Sequence, residues 1–216
     1  MGEAETRPLL ASYGMRIIPG KVVKTAQDAA AVAQELGYPV AVKVVSPQIL
    51  HKSDLGGIRL HLDSELAVIE AIEKMSISIK QTKPQAEIRG FLVEKMAPEG
   101  MEVIVGMRRD PAFGPLMMFG LGGVTVELYK DVGFGVAPMT REQAMEMIHM
   151  SKAGTLLEGY RGGEVFDINA VIDVIGRLSR FALDHPQITE VEINPLLVLP
   201  ENQGAVILDA RAILSN

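Results

Sequence analysis

The chain has 216 residues, 48% of them hydrophobic and 22% charged, with a net charge of −6 and no cysteine. The acidic balance excludes nucleic acid as the main partner, because proteins that track phosphates carry a basic face, and the lack of cysteine excludes disulfides and thiolate metal sites. No apolar run reaches the about 18 residues that span a bilayer, and MGEAETRPLLASYG has no basic segment leading into an apolar one; no membrane partner and no signal peptide are expected, and the expected location is cytoplasmic.

In chain order, Thr25 is placed to cap a helix over 27–36, with Gly37 as its stop. GYPVAVKVV (37–45) reads as a buried strand, since apolar residues occupy both of its faces. SPQILHKSDLGG (46–57) is a loop and IRLHL a short strand, after which Ser64 opens a long amphipathic helix to about residue 81. FLVEKM (91–96) and MEVIVGMRR (101–109) are strands separated by Pro98 and Gly100. The break near Ala97 divides the chain into an N-terminal lobe, 1–96, and a C-terminal lobe, 97–216. LMMFGLGG and a strand over 132–137 follow, then a helix announced by the capping-box pair Thr140 and Gln143. Asp167 caps another helix to about residue 183, ended by Pro186. TEVEINPLLVL and AVILDARAIL close the chain as a hairpin through PENQG. Strands and helices mix without strict βαβ alternation, so the fold class is α+β. The twelve methionines read mainly as core filler, with Met145, Met147 and Met150 on one helix able to form a soft partner-facing surface.

Four features carry chemistry. Lys43 lies in mid-strand, and a lysine is rarely buried unless paired. It either meets a carboxylate on a neighbouring strand, lies on an edge strand with its tip in water, or aims its charge at nucleotide phosphates. HKSDLGG (51–57) offers paired glycines for close backbone approach to an anion and a histidine able to act as acid, base or phosphoryl acceptor; the loop is not a Walker A sequence. In TEVEINP, Glu190, Glu192 and Asn194 share one face. If the terminal hairpin turns about Glu201 and Asn202, Asn194 falls opposite Asp209, within about 5 Å at Cβ. That pair is either a Mg²⁺ site completed by water and phosphate oxygens or an Asn–Asp contact with Arg211 neutralising a glutamate. GLGGVTVE (120–127) has Thr125 where a third glycine would stand, so the dinucleotide fingerprint fails. His61 and His149 read as structural, and His185 as a solvated helix end.

Taken together, GYPVAVKVVSPQILHKSDLGGI, FLVEKMAPEGMEVIVGMRRDPAFGP, FGLGGVTVELYKDVGFGVAP, GYRGG, EINPLLV and LDAR resemble, in the same order, the ATP-grasp subunit of ADP-forming acetyl-CoA synthetases. The resemblance runs over about residues 8–213. It implies an ATP-grasp fold in which two α+β lobes enclose a nucleotide cleft. Carried over by match, Lys43 contacts the phosphates, and Gly56 and Gly57 belong to a loop covering them. Glu94, Lys95 and Met96 form the strand against adenine, with main-chain groups of Met96 reading its edge, and Glu102 accepts ribose hydroxyls. Asn194 and Asp209 match the family's Mg²⁺ ligands, with Glu192 as a further one. His51 matches a histidine that takes phosphate in transit. Lys95 departs from a glutamine expected in many relatives.

The implied reaction is acyl-CoA + ADP + phosphate ⇌ carboxylic acid + CoA + ATP, an acid–thiol ligase activity passing through an acyl phosphate and a phosphohistidine. The implied cofactors are ATP/ADP and Mg²⁺. The implied partner is a CoA-binding α subunit in a hetero-oligomer, because the chain contains no CoA-binding Rossmann segment of its own. The N-terminal MGEAETRPLL lies close to the family's own boundary, which favours a free-standing subunit. The alternative is a non-catalytic ATP-grasp sensor associated with an acyltransferase.

Overall fold

A computed structural model describes residues 1–49, 52, 55–123 and 131–215. The chain divides into two compact units, Ile18–Ala97 and Met1–Ile17 with Pro98–Asn216.

The smaller unit is a four-stranded antiparallel sheet covered on one face by two helices. Its elements are β1 (Gly20–Val23), α2 (Ala26–Leu36), β2 (Val40–Val45), β3 (Ile58–Leu62), α3 (Glu65–Thr82) and β4 (Gly90–Lys95), with strand order β1-β4-β2-β3. The Thr25 side chain accepts the Asp28 N–H at 3.0 Å to start α2, and Gly37 ends it at φ 81°. Ser64 caps α3 in the same way. Val40, Val42 and Val44 alternate toward Ala29, Val32, Ile72 and Met75 of the helices, together with Phe91 and Val93 of β4. Ala41 and Lys43 therefore point to the other face, beside Leu92 and Glu94.

The larger unit is a six-stranded antiparallel sheet in the order β10-β8-β5-β6-β7, with β9 paired to β8. The strands are β5 (Met101–Asp110), β6 (Gly114–Leu121), β7 (Val132–Val136), β8 (Ile188–Val198), β9 (Ala205–Ile207) and β10 (Ala210–Leu214). Among the described residues four α-helices belong to it: α1 (Glu3–Ser12), α4 (Arg141–His149), α5 (Lys152–Leu157) and α6 (Ile168–Asp184). The capping box forms at Thr140 and Gln143, and Asp167 accepts the Ala170 N–H at 3.0 Å to start α6. Val103, Val105, Met107, Met117 and Phe119 pack under Met147, Leu157, Ile175 and Phe181. The opposite face of this sheet carries Glu102, Glu190, Glu192 and Arg211.

Three sequence expectations change. The division at 96/97 differs over the first seventeen residues, which pack with the larger unit: the N-terminal ammonium donates to Ala212 O at 2.9 Å, Leu10 is in its core, and Ile17 bridges to Ile207. α1 escapes sequence reading because Pro8 sits inside it and proline ordinarily interrupts a helix. AVILDARAIL is divided into β9 and β10 at Leu208–Asp209, where Pro195 on the facing strand has no N–H to donate; Leu208 N–H still reaches Pro195 O at 3.1 Å. His185 is half-buried rather than solvated, with its ring 4.5 Å from Phe181 and 5.8 Å from Tyr13. Among the described residues no helix is long and apolar enough to cross a membrane.

Candidate functional site

In the smaller unit the geometry centres on Lys43. Its Nζ lies 2.7 Å from Glu94 Oε2, with the two side chains 10% and 2% exposed. The register explains the meeting: Lys43 faces Leu92 and Ala41 faces Glu94, so the pair is a diagonal contact on one sheet face, a spacing long side chains reach. The neighbouring-strand carboxylate considered for Lys43 is thus present, and it fixes where the ammonium sits. Next to it, Val44 N–H donates to Gly57 O at 2.8 Å, fastening the glycine turn to β2. Gly57 has no room for a side chain, since a Cβ would lie 2.7 Å from Val44 Cγ1, and Gly56 has φ +65°, a conformation glycine adopts without cost. Arg59 Nη1 donates to Gly56 O and Ile58 O, both at 2.9 Å. Sequence reading missed this clamp, whose one signal is an arginine at the start of a short strand. His51 lies outside the described residues. Lys95 is exposed at the end of β4, its N–H donating to Pro19 O at 3.0 Å, and the Met96 N–H donates to Pro39 O at 3.3 Å, so that main-chain donor already has an acceptor.

In the larger unit the hairpin turns about Glu201 and Asn202, as the register Leu196↔Ile207 and Ala210↔Ile193 requires. Asn194 therefore stands opposite Asp209, and its N–H donates to Asp209 O at 3.1 Å. Asn194 Oδ1 accepts the Gly123 N–H at 3.0 Å, while its Nδ2 donates to Glu192 Oε1 at 3.4 Å. Glu192 Oε2 is held by Arg211 through Nε at 2.9 Å and Nη2 at 2.5 Å. The chain Gly123–Asn194–Glu192–Arg211 sets the amide orientation, which gives the GLGG turn a duty that sequence did not assign. Asn194 and Asp209 supply the oxygen donors a hard divalent cation takes. Asn194 Oδ1 and Glu192 Oε1 each already accept one hydrogen bond, which leaves each oxygen a further lone pair, and Glu192 Oε2 accepts two from Arg211. Among the described residues no group of three or more His, Asp or Glu could hold a metal, so a cation here would depend on water and phosphate for its remaining ligands. Glu102 is exposed on β5, and its carbonyl accepts the Gly122 N–H at 3.0 Å. It borders a hollow of ≈ 450 Å³ shared with Tyr160 and Gly163 of the GYRGG segment, which the sequence marked only as one of the motifs that carry the resemblance.

The family model described as an ATP-grasp domain matches residues 1–214. The chain is 43% identical over 212 residues to the β subunit of the ADP-forming acetate–CoA ligase I of Pyrococcus furiosus, covering 98% of this chain and 90% of that one. It is also 43% identical over 214 residues to the ADP-forming acetate–CoA ligase I of Archaeoglobus fulgidus, of whose length it spans 30%. Among solved structures, the dinucleotide-forming acetyl-coenzyme A synthetase 1 of Ca. Korarchaeum cryptofilum, in complex with coenzyme A, Ca-AMPCP and HgCl⁺, superposes with a TM-score of 0.95 at 42% identity, over 100% of this chain and 93% of that one. The same enzyme with coenzyme A and Mg-AMPPCP, its phosphohistidine segment pointing towards the nucleotide binding site, gives 0.84 at 40% identity, over 99% and 92%. Fold and family model together define an ATP-grasp domain. Within that class, the chain belongs to the family of β subunits of ADP-forming acetate–CoA ligases, which are acid–thiol ligases.

Proposed function

We propose that this chain is the nucleotide-binding subunit of an ADP-forming acyl-CoA synthetase, passing phosphate between a phosphohistidine and ADP/ATP with Mg²⁺. The observation that carries the reading is the buried Lys43 ammonium, held at 2.7 Å by Glu94 on the strand that fastens the Gly56–Gly57 turn. Phosphoryl transfer depends mainly on positioning and on cations that neutralise the phosphoryl oxygens. Lys43 serves as a fixed point charge for those oxygens, and Glu94 keeps its Nζ from swinging away. The loop that contains Gly56 and Gly57 covers the same phosphates. Glu94, Lys95 and Met96 border adenine, and Glu102 accepts the ribose hydroxyls. Asn194 and Asp209 hold Mg²⁺, whose chemistry is to neutralise phosphate oxygens, and Glu192 acts on it through the orientation of Asn194. His51, by its match to the family, takes phosphate in transit. The partner is a CoA-binding α subunit, which the naming of the relatives as β subunits supports. In relatives of which this chain spans 30%, the corresponding parts reside in one longer chain.

Titration calorimetry with Mg·ATP tests the site directly. Lys43→Ala weakens binding about tenfold or more, the size of a lost charge-assisted hydrogen bond, and Asp209→Asn removes most of the Mg²⁺ dependence. His51→Ala binds normally but abolishes acyl-CoA-dependent phosphorylation of ADP with the copurified CoA-binding subunit. Unchanged affinity in Lys43→Ala would sink the phosphate role, and full turnover by His51→Ala would remove that histidine from the mechanism.

A further inference from the structure

The GYRGG segment is the one sequence signature to which the site above gives no role. It forms a single 3₁₀ turn, Tyr160–Gly162, after α5. Three of its residues are left-handed: Gly159 at φ 83°, Gly162 at φ 79° and, between them, Arg161 at φ 55°. A left-handed arginine is a local strain of a kind found at ligand clamps. The Arg161 guanidinium sits 5.2 Å from the centroid of the Tyr160 ring, a cation–π contact that steadies an aromatic side chain otherwise 53% exposed. The turn therefore holds a large aromatic ring at the surface at a conformational cost, and no core packing repays it.

Tyr160 and Gly163 stand at the hollow of ≈ 450 Å³ beside Glu102, within the size range of small-molecule sites. Met101, Leu121, Leu156 and Phe166 make its apolar lining, and Glu102 and Glu164 are its two charged residues. Among the described residues no lysine, arginine or histidine lines it, and the two carboxylates disfavour a phosphate or carboxylate there. An uncharged group rich in hydroxyls is welcome, because carboxylates accept O–H donors and aromatic and apolar walls cover the carbon skeleton of a ring.

We propose that this hollow is the nucleoside end of the nucleotide site, in which Tyr160 covers the sugar ring and Glu164 joins Glu102 in accepting its hydroxyls. The inference rests on the nucleotide-binding reading above and adds Tyr160 and Glu164 as residues that select ribonucleotides. The strained turn is then the device that presents the ring before the ligand arrives.

The experiment compares binding of Mg·ATP and Mg·2′,3′-dideoxy-ATP to the full chain by titration calorimetry. Glu164→Gln weakens ATP about threefold and leaves dideoxy-ATP unchanged, because the lost acceptor serves hydroxyls that the analogue lacks. Tyr160→Ala weakens both about fivefold, as a lost aromatic contact does, and Tyr160→Phe restores both. Glu164 is exposed, so its substitution stays informative even if Tyr160→Ala unfolds the turn. ATP affinity unaltered in both variants while Glu102→Gln and Lys43→Ala lose it would overturn the hollow and leave the nucleotide site standing. Equal losses for ATP and dideoxy-ATP in Glu164→Gln would also overturn it. If Lys43→Ala and Glu102→Gln bind ATP like the parent protein, the underlying reading fails and this one falls with it.

Discussion

In the smaller unit Lys43 and Glu94 meet at 2.7 Å with side chains 10% and 2% exposed, while in the larger unit Arg211 and Glu192 meet at 2.5 Å with side chains 44% and 25% exposed. Both are cross-strand contacts between a cation and a carboxylate, yet their energetics differ. Taking both charges out of water costs several kcal/mol per ion, and mutual attraction offsets this only partly. An exposed pair sacrifices little hydration and gains about 0–1 kcal/mol. A buried pair is therefore poor evidence of a stability device and better evidence that the charge itself is wanted. The exposed pair has a second use, because Glu192 also accepts from Asn194 Nδ2 and so helps orient a proposed metal ligand.

The largest test of that contrast is Glu94→Ala, which leaves the Lys43 ammonium without its carboxylate. It is expected to destabilise the protein by about 3–5 kcal/mol, read from denaturant unfolding. The double variant Lys43→Met/Glu94→Leu sharpens the point: it should recover most of that stability while still binding Mg·ATP about tenfold or more weakly than the parent protein. A double variant as unstable as the single one would mean that the pair supports the fold after all. Next in size is Arg211→Ala, with an unfolding cost of no more than about 1 kcal/mol but a weaker Mg²⁺ dependence of ATP binding, as Glu192 loses the group that holds it. A cost well above that range would erase the difference between the two units.

The smallest effect concerns pH. Asp184 is held below the ordinary carboxylate range, first by the hydrogen bond from Arg180 and further by the Tyr13 hydroxyl and the Arg180 charge, against an opposing desolvation. The bonds are 3.0 Å from Arg180 Nε and 3.0 Å from the Tyr13 hydroxyl. A depressed carboxyl stabilises the fold fully above its unfolded value, about 3.9, and loses that contribution as pH falls through the lower native value. Thermal midpoints of the parent protein and Asp184→Asn should differ slightly at neutral pH and converge once the pH has fallen below the native value. A gap that persists in strong acid would assign the difference to packing.

Much of the local structure was legible because its causes lie within a few residues of each other. Thr25, Ser64, Thr140 and Asp167 each cap the helix that follows them, since a cap needs only a side-chain oxygen two or three residues before an orphan N–H. The terminal hairpin was legible for a similar reason: once its centre is set at residues 201–202, a period of two places Asn194 against Asp209 with no tertiary information. The Lys43 environment was half legible. Its burial followed from the apolar run around it, but its partner is 51 residues away in sequence and is reached through the β2–β4 register.

Residue order alone thus settles the α+β class, the helix starts, the pairing of the last two strand segments and, through collinear motifs, the ATP-grasp family. Long-range packing is needed to place the first seventeen residues with the larger unit, Glu192 between Arg211 and Asn194, and the GLGG and GYRGG turns beside Asn194 and the hollow at Glu102. The physical reason is range. Capping and alternation act over one turn or one pleat, whereas partners for a charge, an amide or a ring are chosen by strand order and helix packing between segments far apart in the chain.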